Sequence, residues 1–171
     1  MLSIAEPPVA LTTDIFRAAM RQFVSQVSII TAGIGSDRSG LVATSAQALS
    51  VDPPLMLVCV NRAASTHPLF ARYGHFGINL LAPQHQPIAE RFSGVGGAKG
   101  VERYAVGNWR AGPTGAPLLA DAAVALDCDL DESIDRATHT ILIGRVRSVC
   151  VNGTDMSLAY WRGAYLPVSE R

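Results

Sequence analysis

Residues 124–131 alternate strictly between two kinds of side chain, and this pattern limits the fold more than any other feature of the chain. One set of positions holds Val124, Leu126, Cys128 and Leu130, and the other holds Ala125, Asp127, Asp129 and Asp131. Successive side chains of a β-strand point to opposite faces of the sheet, so the segment predicts a strand with one face turned inward. We expect the acidic positions, with Glu132 and Asp135, to form a solvated outer face; a cation site on these carboxylates is the alternative interpretation.

Short apolar runs recur along the rest of the chain, and few of them have helical spacing. Further strands are predicted at residues 27–32, 41–49, 55–60, 75–81, 139–151 and 157–161, and helices from Thr13 onward and over residues 87–92. Another short helix is expected after Ser65 as its cap, with Pro68 in its first turn. Residues 55–60 are uninterrupted apolar side chains, which favours a central strand. This succession predicts a mostly β fold with a few helices, a barrel or a sandwich.

The length and composition indicate one domain with some apolar surface covered by a partner. A chain of 171 residues fits a single domain, and we expect a loose arm over residues 1–12 before a domain over residues 13–171. Hydrophobic residues make up 49% and charged residues 16%, below the ~25% typical of soluble domains. A second subunit would cover such a surface.

The charge balance argues against nucleic acid and membrane partners. Fourteen basic residues offset fourteen acidic ones, so no net positive field attracts a phosphate backbone or an anionic membrane. The basic set is thirteen arginines and a single lysine, Lys99. Planar bidentate contacts to anions are therefore more available than ammonium contacts.

The three cysteines and the N-terminus indicate a reducing compartment. Cys59, Cys128 and Cys150 are odd in number, lack CxxC spacing and sit within apolar runs, which predicts buried, inert thiols. Residues 1–11 have no basic region before an apolar stretch, and no run reaches the ~18 apolar residues that span a bilayer. We expect a cytoplasmic protein.

Several catalytic motifs are absent from the sequence. The four histidines, His67, His75, His85 and His139, have no close ligand spacing, so no metal site is predicted. There is no GxSxG nucleophile motif. The glycine-rich residues 93–100 do not match GxxxxGK[ST], because Lys99 lies between alanine and glycine, and the GxGxxG motif is also absent.

Residues 40–62 have the properties of a site for a flat ligand. The strand after Gly40 is built of small residues, which lets a ligand approach the backbone closely. Polar groups follow at Thr44, Ser45, Ser50, Asn61 and Arg62, and Ser65 and Thr66 open a helix whose free N–H groups favour an anion. The alternative is an ordinary strand–loop–strand unit whose hydroxyls satisfy their own turns.

The same segment resembles the flavin reductase-like family, whose members have the FMN-binding split barrel. The resemblance lies in the run from Gly40 through Ser50 to Asp52-Pro53-Pro54, followed by an apolar strand that ends in Val60-Asn61-Arg62. Matching segments follow in the family's order, at residues 65–69, 76–81, 91–92, 103–104, 109, 115–119, 126–128 and 139–146. The order and spacing of these matches are more specific than any one of them.

The resemblance implies a single-domain split β-barrel that binds FMN or FAD. The implied flavin contacts are Thr44, Ser45, Ala46 and Ser50, and the implied ribityl and phosphate contacts are Asn61, Arg62, Ser65 and Thr66. Phe92 would lie near the outer cofactor edge, and His139, the implied catalytic residue, near the flavin and nicotinamide rings. Two departures stand out: Val42 replaces the usual threonine, and Ala137-Thr138 replaces the Gly-Asp pair before the histidine.

The implied activity is NAD(P)H-dependent flavin reduction, with hydride transfer from nicotinamide C4 to flavin N5. The resemblance also implies a homodimer with the flavin near the subunit interface, and a partner monooxygenase that uses the reduced flavin. Two alternatives remain open at this point. Bound FMN would pass electrons to another acceptor such as a cobalt corrinoid, or the protein would bind flavin without catalysis.

Overall fold

Twelve β-strands and three α-helices make up residues 10–170, the part of the chain that the computed structural model describes. The strands are β1 (Ser25–Gln26), β2 (Ser28–Ile34), β3 (Asp37–Ala43), β4 (Gln47–Ser50), β5 (Leu55–Asn61), β6 (His75–Leu80), β7 (Trp109–Ala111), β8 (Pro117–Leu119), β9 (Val124–Arg136), β10 (His139–Val151), β11 (Met156–Trp161) and β12 (Ala164–Ser169). The helices are α1 (Thr13–Met20), α2 (His67–Tyr73) and α3 (Gln86–Phe92), and short 3₁₀ turns cover Pro83–His85, Val95–Gly97 and Gly100–Ala105. The predicted mostly β fold class is confirmed. The predicted arm over residues 1–12 falls largely outside the described residues.

Seven antiparallel strands form the main sheet, in the order β3-β2-β6-β9-β10-β5-β4. Strands β1, β11 and β12 form a second sheet, and β7 and β8 pair with each other. The prediction that residues 55–60 form the central strand is wrong, because β5 is next to the edge and β9 occupies the middle. The apolar run reflects packing of Val58 and Val60 into the core rather than a central position.

The predicted strand at residues 41–49 is two strands, and the break between them shapes the sheet. β3 ends at Ala43 and β4 begins at Gln47, yet these strands are the two opposite edges of the seven-stranded order. Six inter-strand spacings of ~4.8 Å would separate the edges of a flat sheet by about 29 Å. Four residue steps along the chain span at most about 14 Å. The sheet must therefore curl until its edges approach each other at residues 44–46, which gives a barrel that is split at this point.

Two groups of buried side chains fill the molecule, one on each side of the curled sheet. The first contains α3 residues such as Phe92, together with Leu81, Leu119 and Leu158. The second contains Phe70 of α2, with Phe76, Val58, Val60 and Leu142. α1 has no buried side chain. No helix within residues 10–170 is long and apolar enough to cross a membrane.

The acidic face predicted on residues 124–131 is wrong at Asp127, which is fully buried. Its carboxylate accepts hydrogen bonds from the backbone N–H of Thr114 (2.7 Å) and from the Thr114 hydroxyl (2.6 Å). The loop at Thr114, which precedes the strand in the chain, covers this position, so alternation within the strand could not reveal its burial. Asp129 and Asp131 are partly or fully exposed and pair with Arg147 and Arg145.

Candidate functional site

A cavity of about 410 Å³ lies where the barrel is split. Its lining comes from the end of β3, from the residues just after it, from β5 and from the first residue of β10: Leu41, Val42, Ala43, Thr44, Ser45, Cys59, Asn61, Ala64 and His139. Four of the ten predicted site residues therefore meet on one cavity. The break between β3 and β4 supplies two of them, Thr44 and Ser45.

Ser45 joins the two sides of the cavity. Its hydroxyl donates to the backbone oxygen of Cys59 (3.2 Å) and accepts from the backbone N–H of the same residue (3.1 Å). The pairing of Gln47 with Leu57 in the neighbouring ladder brings Ser45 opposite Cys59. The Ser45 side chain thus satisfies the backbone N–H and C=O of Cys59, which a backbone partner on β4 would satisfy if that strand began earlier. Thr44, next to it, is exposed.

Asn61 and His139 lie directly opposite each other on β5 and β10. Neighbours in register point to the same face of a sheet, so both side chains face the cavity that they line. The Asn61 side-chain oxygen accepts from the backbone N–H of Ala63 (2.9 Å), which fixes the turn after β5. Nδ1 of His139 lies 2.9 Å from the Thr138 hydroxyl, the group that stands where the family pattern has aspartate.

Arg62 belongs to a separate polar network with Asp135, Thr140 and His67. The Arg62 guanidinium lies 3.7 Å from the Asp135 carboxylate, which accepts a hydrogen bond from the Thr140 hydroxyl (2.6 Å). Nε2 of His67 is 2.8 Å from the same hydroxyl. The Thr140 hydrogen bond and the nearby positive charges of Arg62 and His67 lower the pKa of Asp135 below its usual range. In the ladder Asp135 is in register with Thr140, one position along from His139, so this network is on the face opposite the cavity.

The start of α2 differs from the prediction. The cap is Thr66, not Ser65, and its side chain makes no capping hydrogen bond. Thr66 is fully buried, with its hydroxyl 2.9 Å from that of Ser39. Ser65 is exposed. Pro68 lies in the first turn of the helix, as predicted.

Three further predicted residues lie off the cavity lining. Ala46 is fully buried, and its backbone oxygen accepts from the Gln26 side chain (2.7 Å). Ser50 is half-buried at the end of β4. Phe92 is buried behind β3, with its ring centroid 5.1 Å from that of Tyr104 and 5.2 Å from that of Trp109. Its contact with a cofactor edge stays a prediction.

Cys59 is the polar lining residue that sequence reasoning missed. It is half-exposed, as is Cys150, so the prediction of buried thiols is wrong for both and confirmed only for Cys128. Burial raises the pKa of the Cys128 thiol to about 12, and the charges of Asp127 and Asp129 add to this effect. The period of two in a strand was an available signal, since Cys59 shares the face of Asn61.

A neighbouring cavity of about 340 Å³ extends the site. It shares Val42 and Thr44 with the first cavity and is further lined by Glu90, Ser93, Tyr160 and Tyr165, among others. The two cavities are therefore neighbours, and the strand end at residues 42–44 contributes to the lining of both. Within residues 10–170, no group of three or more His, Cys, Asp or Glu side chains is arranged to hold a metal ion.

Comparison with known proteins agrees with this fold. A family described as the flavin reductase like domain matches residues 20–169. The FMN reductase (NADH) RutF of Variovorax paradoxus is 35% identical over 159 residues, which cover 93% of this chain and 87% of that protein. BorF, the flavin reductase component of a bacterial two-component tryptophan halogenase, superposes with a TM-score of 0.85 at 28% identity, covering 94% of this chain and 100% of that one.

A third comparison involves a solved structure with bound ligands. The NADH:FAD oxidoreductase SgcE6 of Streptomyces globisporus C-1027, in complex with NAD and FAD fragments, gives a TM-score of 0.83 at 26% identity. The match covers 95% of this chain and 96% of that one. Sequence and fold agree over almost the whole described length: the chain belongs to the flavin reductase like domain family.

Proposed function

We propose that the protein is an NAD(P)H-dependent flavin reductase that oxidises NADH or NADPH and reduces FMN or FAD. One observation carries the proposal: the cavity at the split of the barrel gathers Thr44, Ser45, Asn61 and His139 from three separate parts of the chain. Family membership supports it, and so do the names of the relatives, which include an NADH-dependent FMN reductase.

The lining of the cavity suits a flat ring system. Val42, Ala43 and Ala64 place no long side chain between a ligand and the backbone. Hydroxyl, amide and imidazole groups stand at the edges of this small-residue surface, where they are able to meet the polar atoms of a flavin. The residues that line the cavity therefore fit the ring system of a flavin.

The chain's own residues bind and orient, and need supply little acid–base chemistry. When bound, the flavin and the nicotinamide provide hydride transfer between nicotinamide C4 and flavin N5. Thr138 occupies Nδ1 of His139 and so leaves Nε2 as the ring nitrogen that meets a ligand. Ser45 holds the strand break against β5, which keeps Thr44 and Asn61 at fixed positions across the cavity.

The reduced flavin is proposed to leave the protein and serve a partner oxygenase in the cytoplasm. BorF, a relative in structure, is by its name the reductase component of a two-component halogenase. The colour of the purified protein tests this point. Protein that loses its yellow colour on gel filtration supports a diffusible flavin, whereas protein that stays yellow indicates a bound prosthetic group and a different acceptor.

We further propose a homodimer with the flavin near its interface. α1 buries none of its side chains, and its Phe16 is 52% exposed. Phe23 and Val51 are 65% and 90% exposed. Large exposed apolar side chains of this kind favour an interface with a second copy. Light scattering during size-exclusion chromatography tests this: a mass near twice 18.1 kDa is expected, and a monomer at all concentrations would contradict it.

Consumption of NADH with added FMN or FAD tests the activity itself. We expect oxidation to accelerate strongly when protein and flavin are both present. NADH consumption no faster than in a protein-free control would overturn the proposal. Flavin binding without turnover would instead identify a non-catalytic flavin-binding protein.

A further inference from the structure

Three polar residues are in register across three adjacent strands at the edge of the cavity, and two of them, Asn61 and His139, line it. Asn61 of β5 is in register with His139 of β10, which is in turn in register with Arg136, the last residue of β9. Residues directly opposite each other in a ladder point to the same face, so Arg136 starts from the face that carries the cavity. Adjacent strands are ~4.8 Å apart, so Arg136 is about one strand spacing from a lining residue. Its long side chain is able to bridge that distance.

The charges near the cavity distinguish Arg136 from Arg62. Arg62 is paired with Asp135 on the opposite face of the sheet. The guanidinium of Arg136 makes one hydrogen bond within the described residues, from Nη1 to the backbone oxygen of Asp135 (2.7 Å). A guanidinium has five N–H donors, so most of them remain for a ligand.

The hairpin turn beside Arg136 adds no competing negative charge. Thr138 stands where the family pattern has aspartate, and its hydroxyl contacts His139. Arg136 therefore lies in register with a cavity-lining histidine and beside a turn that contains no carboxylate. An arginine in such a setting binds phosphate oxygens through paired N–H groups.

We propose that Arg136 binds a phosphate group of a redox nucleotide whose ring occupies the cavity. The inference rests on the proposed function, because that function supplies the nucleotides. Two sources offer this phosphate chemistry: the flavin nucleotide and the nicotinamide dinucleotide. In either case Arg136, rather than the paired Arg62, is the guanidinium that faces the bound ligand.

Binding titrations with the Arg136→Ala variant test the proposal. Riboflavin, FMN, NADH and NADPH are each titrated into the wild type and the variant by calorimetry, and the KM values for FMN and NADH are measured in parallel. Loss of a charge-assisted contact at an exposed position is expected to weaken the affected ligand about fivefold or more. Weaker FMN binding with unchanged riboflavin binding assigns the flavin phosphate, and weaker binding of NADH or NADPH assigns the dinucleotide.

Arg110→Ala is the matched control, since Arg110 is an exposed arginine on β7 and does not line the cavity. It is expected to leave all four affinities unchanged. Equal affinities in the wild type and Arg136→Ala for every phosphorylated ligand would overturn the inference, as would an equal loss of riboflavin binding. Failure of the proposed function is a separate result, recognised by wild-type protein that binds these nucleotides without turnover.

Discussion

The hydroxyl of Ser45 contacts both backbone polar groups of Cys59, at 3.1 Å from the nitrogen and 3.2 Å from the oxygen. A serine hydroxyl has a single proton, which here goes to the Cys59 oxygen. A ligand in the cavity therefore meets Ser45 only as an acceptor. Its main contribution is to hold the strand break at residues 44–46 against β5.

Ser45→Ala is expected to lower the free energy of unfolding by about 1–2 kcal/mol, because it removes two hydrogen bonds and leaves a partly buried N–H unpaired. Flavin affinity should fall as well, since Thr44 loses its fixed position. Urea denaturation and flavin fluorescence quenching measure the two effects. Ser36→Ala, in the exposed turn between β2 and β3, is the control and should change neither. Unaltered stability in Ser45→Ala would contradict this role.

Flavin is expected to protect Cys59 from alkylation. Cys59 lines the cavity and Cys150 does not, although both are half-exposed. Cys128 should stay unmodified, because burial removes it from the reagent and raises its pKa to about 12. Peptide mass spectrometry after iodoacetamide treatment, with and without FMN, measures the modification of each thiol. Equal protection of Cys59 and Cys150 by FMN, or protection of neither, would argue against the cavity as the flavin site.

Ala137→Gly should stabilise the protein. Ala137 has a φ of 48° in the two-residue turn between β9 and β10, and the family pattern has glycine there. A left-handed conformation costs a non-glycine residue ~1–2 kcal/mol, part of which is offset by the greater freedom of glycine in the unfolded chain. We expect a gain of about 0.5–1 kcal/mol in urea denaturation. Ala111→Gly, in an ordinary strand position, is the control and should lower the free energy of unfolding.

Asp127→Asn is expected to destabilise the fold by about 2 kcal/mol. The fully buried carboxylate accepts hydrogen bonds from the backbone N–H and the hydroxyl of Thr114. An asparagine amide has only one oxygen, so its NH₂ group would face one of these two donors and that hydrogen bond would be lost. Chemical denaturation measures the loss. Asp131→Asn, on the same strand but exposed, should cost less than about 1 kcal/mol. Similar effects of the two substitutions would show that burial of Asp127 does not matter for stability.

Stability should fall in acid partly through Asp37 and Asp135. Hydrogen bonds from Tyr73 and Arg72 lower the pKa of Asp37, and the Thr140 hydroxyl and nearby positive charges lower that of Asp135. A carboxyl group whose folded-state pKa is lowered stabilises the fold above its ordinary pKa, which is 3.8 for an aspartate. This contribution disappears as the pH falls through the lower folded-state value. Thermal melting across acidic pH should therefore show a shallower acid limb in Asp135→Asn than in the wild type.

Local patterns predicted one of the two long strands in full and the other in part, since β9 was expected over residues 124–131 and continues to Arg136. The bounds of β10 agree with the predicted residues 139–151, because β-branched and apolar side chains are frequent along the whole segment. The break at residues 44–46 was missed, since small residues continue through it without a turn signal. Only the curling of the whole sheet places β3 and β4 at opposite edges.

The sequence predicted only part of the candidate site, and the missing part has a physical explanation. Thr44, Ser45, Asn61 and His139 were identified, and they meet on one cavity. The orientation of Arg62 toward Asp135 and the row from Asn61 to Arg136 depend on strand register between segments some 75 residues apart. Register of this kind is fixed by packing of the whole sheet, so a local pattern does not reveal it.

The position of the bound flavin tests the account most directly, through a crystal structure of the protein with FMN. We expect the ring system in the cavity at the split of the barrel, with Thr44 and Ser45 on one side and His139 at its edge. A ring bound elsewhere, or this cavity empty at saturating FMN, would contradict the account.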